Sequence, residues 1–202
     1  MPAVSETIVR EYFELHEFLV RQHRKFVARN RNADDEDDVD FFVLNPQPRP
    51  RPAEFPFVLT SAELDFIDRA IVVVKGRHTE TFSTARLAST PEIFRFVEPK
   101  AFQQAARAFG SDGAPLKILV VPALPQDSKA REDSIALLRS KGIDGVIPFR
   151  TMLADLVSET EANRNYQKSD VLQIIRILKN YDFFKGPQME LFKAGKKGRS
   201  MR

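Results

Sequence analysis

The sequence has no cysteine in its 202 residues. That excludes disulfides, thiolate zinc sites and cysteine nucleophiles together, and it suits a reducing compartment. With three histidines in the chain, any metal must rest on oxygen or imidazole. The eight glycines are scattered, and none stands in the GxxxxGK[ST] or GxGxxG setting that cradles phosphate. A Gly-x-Ser-x-Gly nucleophile elbow is also missing. No apolar run approaches the roughly 20 residues of a membrane span, and the polar amino terminus lacks a signal-peptide core. A cytoplasmic protein with no membrane partner is the simplest expectation. Tryptophan is absent and phenylalanine numerous, at 17. This pattern fits a core better than a base-stacking platform, with Phe41 and Phe82 the two rings that would stack a base if exposed.

Charge is nearly balanced, Lys+Arg 31 against Asp+Glu 28 for a net +3, too small a surplus to argue for nucleic acid by itself. Its distribution says more. Arg21, His23, Arg24, Lys25, Arg29 and Arg31 crowd one segment, Lys193, Lys196, Lys197, Arg199 and Arg202 crowd the tail, and Asp34-Asp35-Glu36-Asp37-Asp38 gathers acids between the first strand segments. A basic cluster facing an acidic one suits phosphate beside a metal, and solvated loops of opposite sign suit the pattern equally.

Apolar residues Ile8, Val9, Tyr12, Phe13 and Leu15 at three- and four-residue spacing predict an amphipathic helix over 5–17, with Ser5 as a candidate N-cap. Phe18-Leu19-Val20 and Phe26-Val27 read as strand-like, 30–38 as a hairpin loop and 39–44 as a buried strand. The prolines at 46, 48, 50, 52 and 56 make 45–56 an extended surface connection. Docking in polyproline conformation is a second use for it, and Arg49 and Arg51 favour a solvated loop.

A short helical turn over 61–69 leads to a strand at 70–75. Ser89-Thr90-Pro91-Glu92 opens a helix expected to run to about 109, ended by Gly110 and Gly113. Leu116–Val121 has the composition of a strand covered on both faces. A helix over about 127–141, a strand over 143–149 and helices near 150–161 and 168–180 complete the order. The last of these carries Ile174, Ile175, Ile177 and Leu178 as an apolar stripe for the sheet or a second subunit.

The expected fold is α/β: a mixed central sheet of about five strands flanked by helices. We expect one domain over 1–185, with C-terminal helices from about 150, and a basic tail over 186–202.

The phrases Glu17-Phe18-Leu19-Val20, Val39-Asp40-Phe41 and Val74-Lys75-Gly76 resemble, in this order, short motifs of the PD-(D/E)xK nuclease superfamily, the fold of type II restriction enzymes and Holliday-junction resolvases. Resolvase-like members carry Gly-Phe-x-Val at the first. The likeness covers roughly residues 5–150. It implies Asp40 as the metal-binding aspartate, Lys75 as the lysine at the nucleophilic water, and Glu6 where some members place a helix-one glutamate. The acid of the triplet belongs two residues before Lys75, and Val73 stands there. Alternate strand residues share a face, so a hard oxygen ligand is missing beside the lysine.

Asp38, two residues before Asp40, and Glu80 are candidate replacement ligands, which would complete a site for Mg²⁺ or Mn²⁺. Lys75-Gly76-Arg77-His78 offers phosphate-friendly side chains, and with Arg24 makes Arg77 and His78 the candidate phosphate-binding set. Each has a plainer reading: Asp40 as a strand-end hydrogen bonder, Asp38 as part of an acidic loop, Lys75 as the point where a strand meets water, His78 as a surface histidine. His16 and His23 are assigned no chemistry.

Three functions compete. The favoured one is a divergent, catalytically degenerate nuclease-like domain that binds nucleic acid or a protein partner, with DNA one candidate. The others are an active metal-dependent DNA endonuclease with a migrated acid, and a non-enzymatic assembly protein. The resemblance also implies a homodimer through the C-terminal helices.

Overall fold

Thr60 and Glu63 show how local chemistry punctuates this chain. The Ala62 amide donates to Thr60 Oγ1 at 3.3 Å while the Thr60 amide donates to Glu63 Oε2 at 2.7 Å. This capping box satisfies helix-start amides and opens α2 (Ser61–Leu64). Such devices recur throughout the computed structural model, which describes residues 2–23, 39–75, 78–110 and 113–184. Ser83 caps α3 (Thr84–Ala88), Asp127 caps α5 (Ser128–Ser140) and Ser169 caps α7 (Asp170–Asn180). Gly142, at φ 87, follows the α5 terminus in the left-handed region that glycine adopts freely.

Five strands form one sheet in the order β1-β2-β3-β4-β5: Leu19–Gln22, Phe41–Leu44, Arg69–Val74, Leu116–Val121 and Gly145–Pro148. The first three pair antiparallel, with Val20 opposite Val43 and Phe42 opposite Ile71. The last two join in parallel, with Val73 beside Leu119 and Leu119 beside Val146. The expected mixed α/β sheet is therefore present. The outer edge of β5 is covered by residues 57–59: the Val146 amide donates to the Phe57 carbonyl and the Leu59 amide to the Val146 carbonyl, each at 2.8 Å.

Contacts sort the chain into two compact units, Met1–Asp155 and Leu156–Arg202, the division falling within α6 (Phe149–Glu159). In the first unit Phe42, Ile71, Val73, Leu119, Val121 and Val146 point to one core, with Phe82, Leu87, Ile93, Phe96 and Leu138 from the intervening segments. Phe41, Val43, Ala70, Val72, Ile118, Val120 and Ile147 alternate to the other face and are fully buried. There α1 (Pro2–Leu15) contributes Val9, Tyr12 and Phe13. Phe41 and Phe82 are both core residues, as their composition implied.

In the second unit Leu156, Thr160, Leu172 and Ile175 are buried. Lys179 Nζ donates to the carbonyls of Ser158 at 3.2 Å and Thr160 at 2.6 Å, serving the C-terminal end of α6.

Several expectations change. The first helix begins at Pro2, so Ser5 lies inside it and caps nothing. The single helix expected to run to about 109 is three pieces: a 3-10 helix (Pro91–Val97), α4 (Pro99–Ala106) and a 3-10 turn (Arg107–Phe109). The break falls at Glu98, whose ψ of 140 is non-helical; the residue before a proline is pushed there by the following ring. The short helix α3 was not anticipated. Of the apolar stripe on α7, Ile175 is buried while Ile174 and Ile177 are exposed. The expected strand piece 26–27, the loop 30–38 and the tail 186–202 lie outside the described residues.

Candidate functional site

Asp40 stands at the entry to β2, and its position follows from a fault in the ladder. Phe41 is paired with Val72, and the Asp40 amide also donates to the Val72 carbonyl at 3.1 Å. Two residues of one strand thus meet one of the other, which is a β-bulge. Beyond it the alternation is offset, so Val39 joins Val73 and Phe42 in one core and Asp40 turns to the face of Phe41, Val72 and Val74. The Asp40 carboxylate then accepts the Val74 amide through Oδ2 at 2.7 Å. A regular ladder would offer that amide a β2 carbonyl; here the side chain takes over and closes the strand pair. On its other side the Asp40 carbonyl accepts the His23 amide at 2.8 Å.

Val73, where the triplet's acid was expected, is fully buried. It faces the core with Ile71 and Leu119, away from the Asp40 carboxylate. The residues of β3 that share Asp40's face are Ala70, Val72 and Val74. Lys75 follows, its amide extending the parallel ladder to the Val120 carbonyl at 3.1 Å.

The other candidate acids are held elsewhere. Glu6 on α1 accepts from Gln22 Nε2 at 2.7 Å, tying the helix to β1. Glu80 accepts Arg86 Nη2 through both oxygens, at 3.1 and 3.2 Å. Among the described residues no group of three or more histidines and carboxylates converges to hold a metal ion. Asp38 lies outside the described residues, as do Arg24 and Arg77. His78 is exposed, with Nε2 3.0 Å from Ser5 Oγ and its ring centroid 4.5 Å from that of Phe149.

A second polar cluster escaped the sequence reading. His16 Nε2 is hydrogen-bonded to Asp155 Oδ2, and the His16 ring meets the Tyr12 ring edge-on at 5.0 Å. Tyr12 is fully buried, and its hydroxyl has no hydrogen-bond partner. Burial, with the Asp155 and Glu63 carboxylates adding to it, holds that phenol protonated well above the ordinary tyrosine range. The i, i+4 spacing of Tyr12 and His16 was legible; the partner 139 residues away was not.

The Phe18 amide donates to the Phe13 carbonyl at 3.0 Å and the Glu17 amide to Glu14 at 3.1 Å. The Phe13 and Phe18 rings pack at 5.4 Å. These are the two bonds and the apolar contact of a Schellman cap, which places Glu17 at the position glycine normally fills; its φ is 65.

Comparison with protein-family models, curated proteins and solved structures finds no match to the chain.

Proposed function

We propose that this chain is a divergent restriction-endonuclease-like domain that has lost its metal centre and binds nucleic acid. The observation that carries the reading is the Asp40–Val74 hydrogen bond: the carboxylate at the family's aspartate position serves the backbone of β3, with valines on that strand to either side of it. The likeness itself is supported by the order of elements, an opening helix, an antiparallel three-strand run and then parallel strands. It is supported also by Glu17, which in the phrase Glu17-Phe18-Leu19-Val20 occupies the left-handed position that explains why a glycine belongs there.

The experiment has two arms. Purified protein is expected to bind duplex DNA with an affinity that falls steeply with salt, and to leave supercoiled plasmid intact in Mg²⁺ or Mn²⁺. Metal-dependent nicking that disappears in Asp40→Ala or Lys75→Ala overturns the proposal in favour of an active endonuclease. Absence of salt-sensitive binding overturns it in favour of an assembly role. Self-association would run through α7, where Ile174, Ile177 and Tyr181 are exposed at helical spacing; sedimentation velocity reads it directly, a monomer at micromolar concentration removing that partner.

A further inference from the structure

Between β2 and α2 every residue from Pro46 to Glu54 is exposed. This strap is anchored rather than loose: the Asn45 amide donates to the Asp68 carbonyl at 2.8 Å, the Arg49 amide to the Asp65 carbonyl at 2.7 Å, and the Gln47 amide to Asn45 Oδ1 at 2.9 Å. Its core is Pro48-Arg49-Pro50-Arg51-Pro52. Each proline fixes its own φ, and Pro50 and Pro52 push the arginines before them extended, so the ridge keeps one shape and loses little freedom on binding.

The chemistry narrows the partner. Prolines at 46, 48, 50 and 52 strip the amides from one edge of the strap, and on the other the Gln47 and Arg49 amides are already bonded to Asn45 and Asp65, which disfavours adding it as a strand to a sheet edge. Grooves that read polyproline helices take prolines three apart, and no two of the prolines at 46, 48, 50, 52 and 56 are three apart. What remains prominent is a pair of exposed arginines two residues apart, whose backbone positions are spaced about 6–7 Å along an extended chain, or roughly two base-pair rises of duplex DNA. Arginines presented on a rigid surface and inserted into a narrowed minor groove are held there by the groove's enhanced negative potential.

Both arginines have local contacts that solvent can replace. Arg49 Nη1 lies 3.1 Å from Asp65 Oδ2 in a pair whose side chains are 70% and 55% exposed, and Arg51 Cζ sits 5.1 Å from the Phe55 ring centroid. The acid next to the strap's base, Asp68, is neutralised by Arg69 Nε at 2.9 Å, which leaves Glu54 as the opposing charge within the strap.

We infer that the Pro48–Pro52 strap is a minor-groove reader that places Arg49 and Arg51 into narrow, A·T-rich duplex DNA. The inference rests on the nucleic-acid reading above and adds to it a site and a sequence preference.

The test is fluorescence anisotropy of the full chain with labelled 16-base-pair duplexes, one an A·T tract and one G·C-rich. The expected result is about tenfold tighter binding to the A·T tract, within the range of base discrimination, and displacement by a polyamide minor-groove ligand. Arg49→Ala/Arg51→Ala should erase the preference and lower the slope of log K against log salt by about 2, with far-UV circular dichroism and melting temperature unchanged. Arg49→Lys/Arg51→Lys should keep the salt slope and lose the preference, and Glu54→Gln should tighten binding. Equal affinity for the two duplexes, or an A·T preference that survives the double alanine variant, overturns the strap while leaving nucleic-acid binding standing. Failure to bind either duplex overturns both.

Discussion

Asp40 Oδ2 accepts the amide of Val74 across the β2–β3 pair at 2.7 Å, from within the bulge at which Asp40 and Phe41 share Val72. A carboxylate in this position terminates a ladder. It supplies the acceptor that β2 withholds once its register slips, and it keeps a part-buried amide from going unpaired.

Removing the acceptor should therefore be felt as stability. Asp40→Ala is expected to cost about 1–3 kcal/mol, the range for stranding a buried donor, while Asp40→Asn, which keeps a side-chain oxygen, should recover a good part. Urea denaturation of both variants checks this; equal stability of wild type and Asp40→Ala would remove the structural role.

Restoring the family's acid at position 73 should break the protein instead of repairing a site. Val73 is fully buried among apolar side chains, and an uncompensated carboxyl there is expected to cost several kcal/mol. Val73→Glu should lose its cooperative thermal transition. A folded Val73→Glu protein that nicks plasmid with Mn²⁺ would show that the two side chains do reach one site.

Glu17→Gly should raise stability by about 1 kcal/mol, since a side chain in the left-handed region costs about that much and glycine does not incur it. The Schellman bonds to Phe13 and Glu14 are backbone bonds and stay. A lowered melting temperature in Glu17→Gly would contradict the cap.

Tyr12 gives a pH signature. Its folded pKa is raised, by burial first and then by Asp155 and Glu63, whereas unfolded chains ionise tyrosine near the ordinary value of about 10. Below that pH both states hold the proton and nothing is lost. Above it the unfolded state releases the proton and the folded state does not, so stability should fall by up to about 1.4 kcal/mol per pH unit. Tyr12→Phe should flatten that alkaline limb and, by deleting an unpartnered hydroxyl, leave stability at pH 7 unchanged or up to about 1 kcal/mol higher. Melting curves between pH 8 and 12 compare the two directly.

The amino-acid order by itself determined the repertoire of elements. The β-branched run Leu116–Val121, the capping residues Asp127 and Ser169, and the terminating glycines at 110 and 142 each act over a few residues, and each does in the fold what its local chemistry requires. Pro99 carried the break at Glu98 as well, a local signal that the helical pattern around it outweighed. Tertiary structure alone decided which way the candidate groups turn. Asp40 is 34 residues from the amide it serves, Ser5 is 73 from His78, and His16 is 139 from Asp155. Strand register governs the first of these, and a one-residue slip sends a side chain to the opposite face of the sheet. Spacing along the chain placed Asp40, Val73 and Lys75 in one motif; the bulge put Asp40 and Val73 on different faces.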